Sequence, residues 1–176
     1  HYVIDEDGTV ISLVAEDKRA WHAGEAYWRG ETDINGRSVG VELVNPGHQF
    51  GYRDFTDPQM AALAHLAKEI QTRHSILPRN IVGHSDISPR RKIDPGELFD
   101  WEGLAGMGVG VRPKFPGTFK KSGPSVEVML KEIGYETISR DATIMAFQRH
   151  FRPQKIDREC DGETMSLVKG LLELVA

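Results

Sequence analysis

One cysteine, Cys160, occurs in 176 residues, so an intrachain disulfide is excluded. A lone cysteine fits a reducing cytoplasm and equally a bacterial periplasm, so the redox compartment stays open. Apolar runs approaching the roughly 18 residues of a membrane-spanning helix are missing. An excess of basic residues is missing too. Lys and Arg number 22 against 26 Asp and Glu, a formal net charge of −4, which removes any whole-chain attraction to nucleic acid or an anionic membrane. There is no initiating methionine. With His1 at the start, an upstream segment is expected to have been cleaved or left out, and the lack of a signal peptide excludes no compartment. Repeats and low-complexity segments are also absent. What remains is 39% apolar and 27% charged, the ordinary make-up of a globular protein with a real core.

The chain opens with two β-branched, partly alternating runs on either side of Asp7-Gly8. Glycine accepts the positive φ of a tight turn, so this reads as a hairpin. A polar, Gly-rich loop follows from Ala23 to Arg37, and alternation from Ser38 to Asn45 reads as another strand. Thr56 or Asp57 can cap a helix whose first turn holds Pro58. Met60, Leu63, Leu66, Ala67 and Ile70 recur at helical spacing, and Pro78 closes the unit. Asn80 to His84 is a short buried-strand candidate, and a helix is expected to start at Asp100-Trp101.

From Gly106 to Pro124 the composition turns to Gly, Pro, Lys and Ser, which marks a linker. Three amphipathic helices fit beyond it. The first is capped by Ser125 and carries Val126, Met129, Leu130 and Ile133. The second carries Ile144, Phe147 and Phe151. The third starts near Asp161 and carries Leu167, Val168, Leu171 and Val175.

The richest chemistry lies between Gly83 and Gly96. A histidine, His84, precedes a loop that leads to Asp94; imidazole nitrogen and carboxylate oxygen both suit Zn²⁺. Lys92 stands two residues before Asp94, and in an extended segment both side chains point to one side. Its ammonium is placed to stabilise an oxyanion on a polarised carbonyl. Glu42 sits among Val41, Leu43 and Val44 in a strand that reads as buried. A carboxylate there is costly unless paired or used, and a raised pKa would suit a general base.

Taken singly, each residue has a plainer reading. A histidine near a strand end is ordinarily structural, a strand glutamate ordinarily faces solvent, and Arg90-Arg91-Lys92 would be a solvated loop. His65 and His74 fall on the helix, while His48 and His150 offer no partner spacing.

Together and in order, these segments resemble the zinc amidase family, the N-acetylmuramoyl-L-alanine amidases that include the AmpD and AmiD types, phage lysozyme-like amidases and peptidoglycan-recognition proteins. The resemblance runs from His1 to about Pro113. It is carried by His1-Tyr2-Val3-Ile4-Asp5 with Asp7-Gly8, Ala20-Trp21-His22-Ala23-Gly24, Ser38-Val39-Gly40-Val41-Glu42-Leu43, Gly83-His84-Ser85-Asp86 and Lys92-Ile93-Asp94-Pro95-Gly96. It implies an α/β fold, with a mixed central sheet flanked by helices, and one catalytic Zn²⁺. The implied reaction is hydrolysis of the amide between N-acetylmuramic acid and L-alanine. His84 and Asp94 are implied as zinc ligands, Glu42 as the activator of water and Lys92 as the oxyanion partner. Trp21, His22 and Asn35 are implied substrate contacts. The family's third ligand is a histidine on a strand upstream of the hairpin, and His1 aligns with the hairpin rather than with that ligand.

The C-terminal part resembles a three-helix peptidoglycan-binding domain through Ala146-Phe147-Gln148-Arg149-His150-Phe151-Arg152-Pro153 and Asp161-Gly162-Glu163-Thr164. The expected organisation is an amidase domain over 1–113, a linker over 114–124 and a small three-helix domain over 125–176. The expected partner is peptidoglycan or a muropeptide, with no nucleic acid and no transmembrane segment, and the expected location is the bacterial cell envelope. A non-catalytic wall-binding protein is the competing expectation.

Overall fold

Strands β1 (Tyr2–Ile4) and β2 (Val10–Ser12) form the hairpin expected around Asp7-Gly8 in this computed structural model, which describes residues 1–114 and 123–175. Gly8 takes φ +86°, and its N–H closes the turn onto the Asp5 carbonyl at 2.9 Å. The strand expected from Ser38 to Asn45 shortens to β3 (Val41–Leu43), which lies parallel to β1, with Val3 opposite Glu42. The sheet order is β2-β1-β3, a mixed sheet. The loop before β3 is held by a short 3₁₀ turn at Ile34–Gly36 and an isolated bridge between Trp28 and Glu31.

After a single turn, α1 (Gly47–Phe50), the long helix α2 (Asp57–His74) packs across the sheet. Thr56 caps α2 by accepting from the Gln59 N–H, and the Gln59 side chain reaches back to the Thr56 N–H, a capping box. Leu63, Leu66, Ala67 and Ile70 bury against the fully enclosed Ile4. Each leucine or isoleucine so enclosed contributes about 1.5–3 kcal/mol. The same core takes in Phe99, Leu104 and Val109, brought there by α4 (Trp101–Gly106), which Asp100 caps through the Gly103 N–H at 2.8 Å.

Two expectations change here. The segment from Asn80 to His84 is not a strand: it leaves a 3₁₀ turn at Pro78–Asn80 and enters the short helix α3 (His84–Ile87), so His84 opens a helix. The β-branched Ile81 and Val82 suggested a strand, but the local hydrogen bonds of Asp86 favour a helical turn. The punctuated stretch from Gly106 is also partly core, since Val109 is 1% exposed and Pro113 is buried. The remainder of the expected linker, 115–122, lies outside the described residues.

Helices α5 (Val126–Ile133), α6 (Arg140–Phe151) and α7 (Gly162–Val175) gather a second core of Met129, Leu130, Tyr135, Ile144, Phe147, Val168 and Leu171. This cluster is not isolated from the first. Helix α6 packs on α3, Trp28 lies edge-on to Tyr135 at 5.2 Å, and the Trp101 ring stacks on His150 at 3.8 Å.

Candidate active site

Asp86 sets the geometry of the site. Its Oδ2 accepts the Gly83 N–H at 2.7 Å and turns the chain into α3, so that His84 begins the helix. One residue on, the Ser85 N–H donates to the Asp94 carbonyl at 2.9 Å, which draws residue 94 back beside residue 84. Between them the Arg91 and Lys92 N–H groups both close onto the Ser88 carbonyl. A second loop is clamped over this turn: Ser88 Oγ donates to the Glu25 carbonyl, and Arg91 Nη2 donates to the carbonyls of Ala23 and Glu25.

The result is a direct contact between His84 Nδ1 and Asp94 Oδ2 at 2.9 Å. The other ring nitrogen, Nε2, lies 2.9 Å from the Ala23 carbonyl, which can only accept. Nε2 therefore carries a proton; a doubly protonated ring donates Nδ1–H to the carboxylate, and a singly protonated one turns its Nδ1 lone pair toward it. Two acceptors in contact need a proton or a cation between them. Two ligands at about 2.0–2.1 Å on a tetrahedral zinc stand roughly 3.3 Å apart, close to this separation. A backbone carbonyl that fixes the far nitrogen is the usual support of a metal-binding imidazole. The donor set thus fits zinc; no third His, Cys, Asp or Glu completes a cluster among the described residues. Burial pushes the Asp94 carboxyl up, but the hydrogen bond and charge of His84, with the charge of Lys92, outweigh it and hold the group below its ordinary value.

The other sequence candidates take different places in the fold. Lys92 is half-buried just after the Ser88 turn, its charge facing Asp94. Glu42 corrects an expectation: it is exposed, while Val41 and Leu43 on either side face the core, because strand residues alternate. No hydrogen bond joins Glu42 to His84, Lys92 or Asp94 among the described residues. His22 is half-buried, with its ring against Gly40 and Nε2 3.4 Å from Ser38 Oγ. Burial, then the positive charges of the amino terminus and His84, hold its pKa down. Trp21 stands 81% exposed with Arg19 over its ring at 4.6 Å. Asn35 is buried, and its Oδ1 accepts the N–H groups of His22 and Ala23 at 3.0 and 2.8 Å, so it shapes the loop that carries both. His1 spends its ring nitrogens on the Gly40 N–H and the Lys18 carbonyl.

Sequence reasoning missed Asp86, Tyr135, Arg149 and His150. Tyr135 and His150 reach Asp86 from the helical part of the chain, and buried Arg149 turns its charge toward Glu97, Asp86, Tyr52 and Asp94. The one local signal was the position of Asp86, three residues after Gly83, where a short acidic side chain caps a turn.

Comparison with known proteins identifies the family. The family model described as N-acetylmuramoyl-L-alanine amidase matches residues 1–97. The chain belongs to the N-acetylmuramoyl-L-alanine amidase family. It is 40% identical over 187 residues to the N-acetylmuramoyl-L-alanine amidase AmiD of Escherichia coli, covering 93% of this chain and 67% of that protein. It is also 40% identical over 103 residues to the 1,6-anhydro-N-acetylmuramyl-L-alanine amidase AmpD of Haemophilus influenzae, covering 58% of this chain and 54% of that protein. The structure of Escherichia coli AmiD with anhydro-N-acetylmuramic acid-L-Ala-D-gamma-Glu-L-Lys superposes with a TM-score of 0.87 at 35% identity, over 99% of this chain and 79% of that one. The amidase family's α/β fold, with a small mixed sheet and helices, therefore extends over the described residues. Among those residues no helix is long and apolar enough to cross a membrane.

Proposed function

We propose that this amidase hydrolyses the amide between the lactyl group of N-acetylmuramic acid and L-alanine, in muropeptides or peptidoglycan, with zinc held in part by His84 and Asp94. The observation that carries the reading is the 2.9 Å approach of His84 Nδ1 to Asp94 Oδ2, with Nε2–H spent on the Ala23 carbonyl. Zinc bound there supplies Lewis acidity toward the scissile carbonyl. Glu42, exposed at the sheet, accepts a proton from the attacking water and returns it to the leaving L-alanine nitrogen as the C–N bond breaks. The Lys92 ammonium donates to the oxygen that gains charge in the tetrahedral stage. Trp21 and His22 are read as substrate contacts, with Asn35 shaping their loop. The matched relatives are named as amidases, which does not favour a non-catalytic wall binder.

Helices α5–α7 are read as a peptidoglycan-binding unit and the cell envelope as the place of action. The support for the first is the resemblance of Ala146–Pro153 and Asp161–Thr164 to such a domain; the second is the expectation that follows from it.

The test is to incubate the full-length protein with a soluble muropeptide and follow release of peptides with new L-alanine amino termini, beside the zinc content of the sample. The expected result is release that stops in Glu42→Ala while zinc content holds. Undiminished release by that variant overturns the role of Glu42. No release by the zinc-loaded parent protein overturns the reading as a whole.

A further inference from the structure

Asp86 joins the candidate site to the helical part of the chain. Its side chain is 1% exposed and takes three hydrogen bonds, each 2.7 Å long. One comes from the Gly83 N–H of its own segment. The other two come from elsewhere: the Tyr135 hydroxyl donates to Oδ1 and His150 Nδ1 donates to Oδ2. A buried carboxylate persists only where such donors surround it. Two of the three stand 49 and 64 residues further along the chain.

Neither distant donor is free to adapt. The His150 ring is stacked between Trp101 at 3.8 Å and Phe151 at 3.9 Å. Tyr135 is fully buried, edge-on to Trp28 and Phe147. The contact extends outward through Arg29, whose Nη1 donates to the Ile133 carbonyl at 2.7 Å, and through the Arg90–Glu136 ion pair. Rigid aromatic packing therefore fixes the two donors, the donors fix the Asp86 carboxylate, and the carboxylate fixes the turn at Gly83. That turn places the His84 ring, and its Ser85 N–H holds the Asp94 carbonyl. One path from the helical part to each member of the pair thus runs through Asp86, the carboxylate that both buried donors address.

We propose that Tyr135 and His150 are positioning residues for the His84–Asp94 pair, so that the C-terminal helices form a wall of the metal site in addition to any role in holding substrate. A module joined only by a tether would leave Asp86 satisfied within its own segment. The proposal rests on the amidase reading for its catalytic consequence, and its consequence for metal affinity stands apart from that reading.

The experiment compares full-length wild type with Tyr135→Phe, His150→Leu and His150→Asn, the last keeping an N–H donor near the Nδ1 position. Three quantities are read on folded protein: the zinc dissociation constant by chelator competition, kcat and KM on a soluble anhydromuropeptide, and co-sedimentation with insoluble peptidoglycan. Loss of a supporting partner of a metal ligand weakens binding or activity by about 10- to 100-fold. Acting through one intermediary, His150→Leu is expected at the low end, about tenfold in both zinc affinity and kcat. KM and co-sedimentation should stay unchanged. Tyr135→Phe should shift the same quantities less, and His150→Asn should recover most of the loss. A purely structural contact would lower the melting temperature and leave the zinc affinity of the folded protein and kcat alone; that result overturns the proposal. If His150→Leu does not fold, Tyr135→Phe decides by the same readouts. If wild type releases no peptide, the amidase reading fails, and the zinc affinities still decide the positioning role.

Discussion

Gln59 and Val44 are joined by a hydrogen bond from the Gln59 side-chain amide to the Val44 carbonyl at 2.8 Å, and the same nitrogen donates to the Ile4 carbonyl at 3.2 Å. One buried side chain at the start of α2 thus satisfies the ends of β1 and β3 together. Gln59→Leu fills similar volume and leaves the Val44 carbonyl without its donor, while the Ile4 carbonyl keeps the Val44 N–H at 3.0 Å. An orphaned buried acceptor costs about 1–3 kcal/mol. Urea denaturation should show a loss of that size with an unchanged slope; a loss under about 0.5 kcal/mol would mean that the Val44 carbonyl finds another donor.

Glu16 supplies a pH dependence. Its carboxylate accepts from Arg73, from the Tyr2 hydroxyl and from the His74 ring. Arg73 foremost, then Tyr2, lowers its pKa from 4.5 to about 2. A depressed carboxylate stabilises the fold fully above its unfolded value, and that contribution fades as pH falls through the folded one. Stability should therefore decline between pH 4.5 and about 2, and Glu16→Gln should flatten that part of the curve. The check is the urea midpoint against pH for both proteins; parallel curves would remove Glu16 from the account.

Much of the fold was legible where signals are local. The hairpin followed from Asp7-Gly8, α2 from Thr56 and its apolar spacing, and α5 from Ser125. The facing of Glu42 was not legible, because Ser38 to Val41 alternates ambiguously and only pairing with β1 turns the carboxylate outward. His84 and Asp94 were picked out by motif, but what brings them together is a backbone hydrogen bond from Ser85 that no side-chain pattern reports. His150 was passed over because its partner, Asp86, stands 64 residues earlier.

Lys92→Ala tests the proposed division of labour at the site. If the ammonium acts only on the developing oxyanion, kcat should fall about 10²–10³-fold with KM and zinc content near wild type, as happens when one oxyanion donor is removed. A rise in KM with unchanged kcat would assign Lys92 to substrate binding instead.

Gly83 connects fold and site most sharply. A Cβ built there would lie 2.8 Å from Pro95 Cδ and 3.1 Å from Trp101 Cζ2, and neither a proline ring nor a packed indole yields as a flexible chain end would. Gly83→Ala should push the Pro95 turn away from α3 and open the His84–Asp94 contact, because Asp94 is bonded to that proline and held by the next residue of the helix. Overpacking of this kind costs about 1–3 kcal/mol. Gly106→Ala is the control: it lies in α4, a Cβ there meets nothing within 4 Å, and helix propensity favours alanine by about 1 kcal/mol. Thermal melts and zinc titrations of the two variants should diverge, with Gly83→Ala less stable and weaker in zinc, and Gly106→Ala neutral or better in stability and unchanged in zinc. Equal zinc affinities would show that the pair tolerates movement of the Pro95 turn and that α3 alone determines the site.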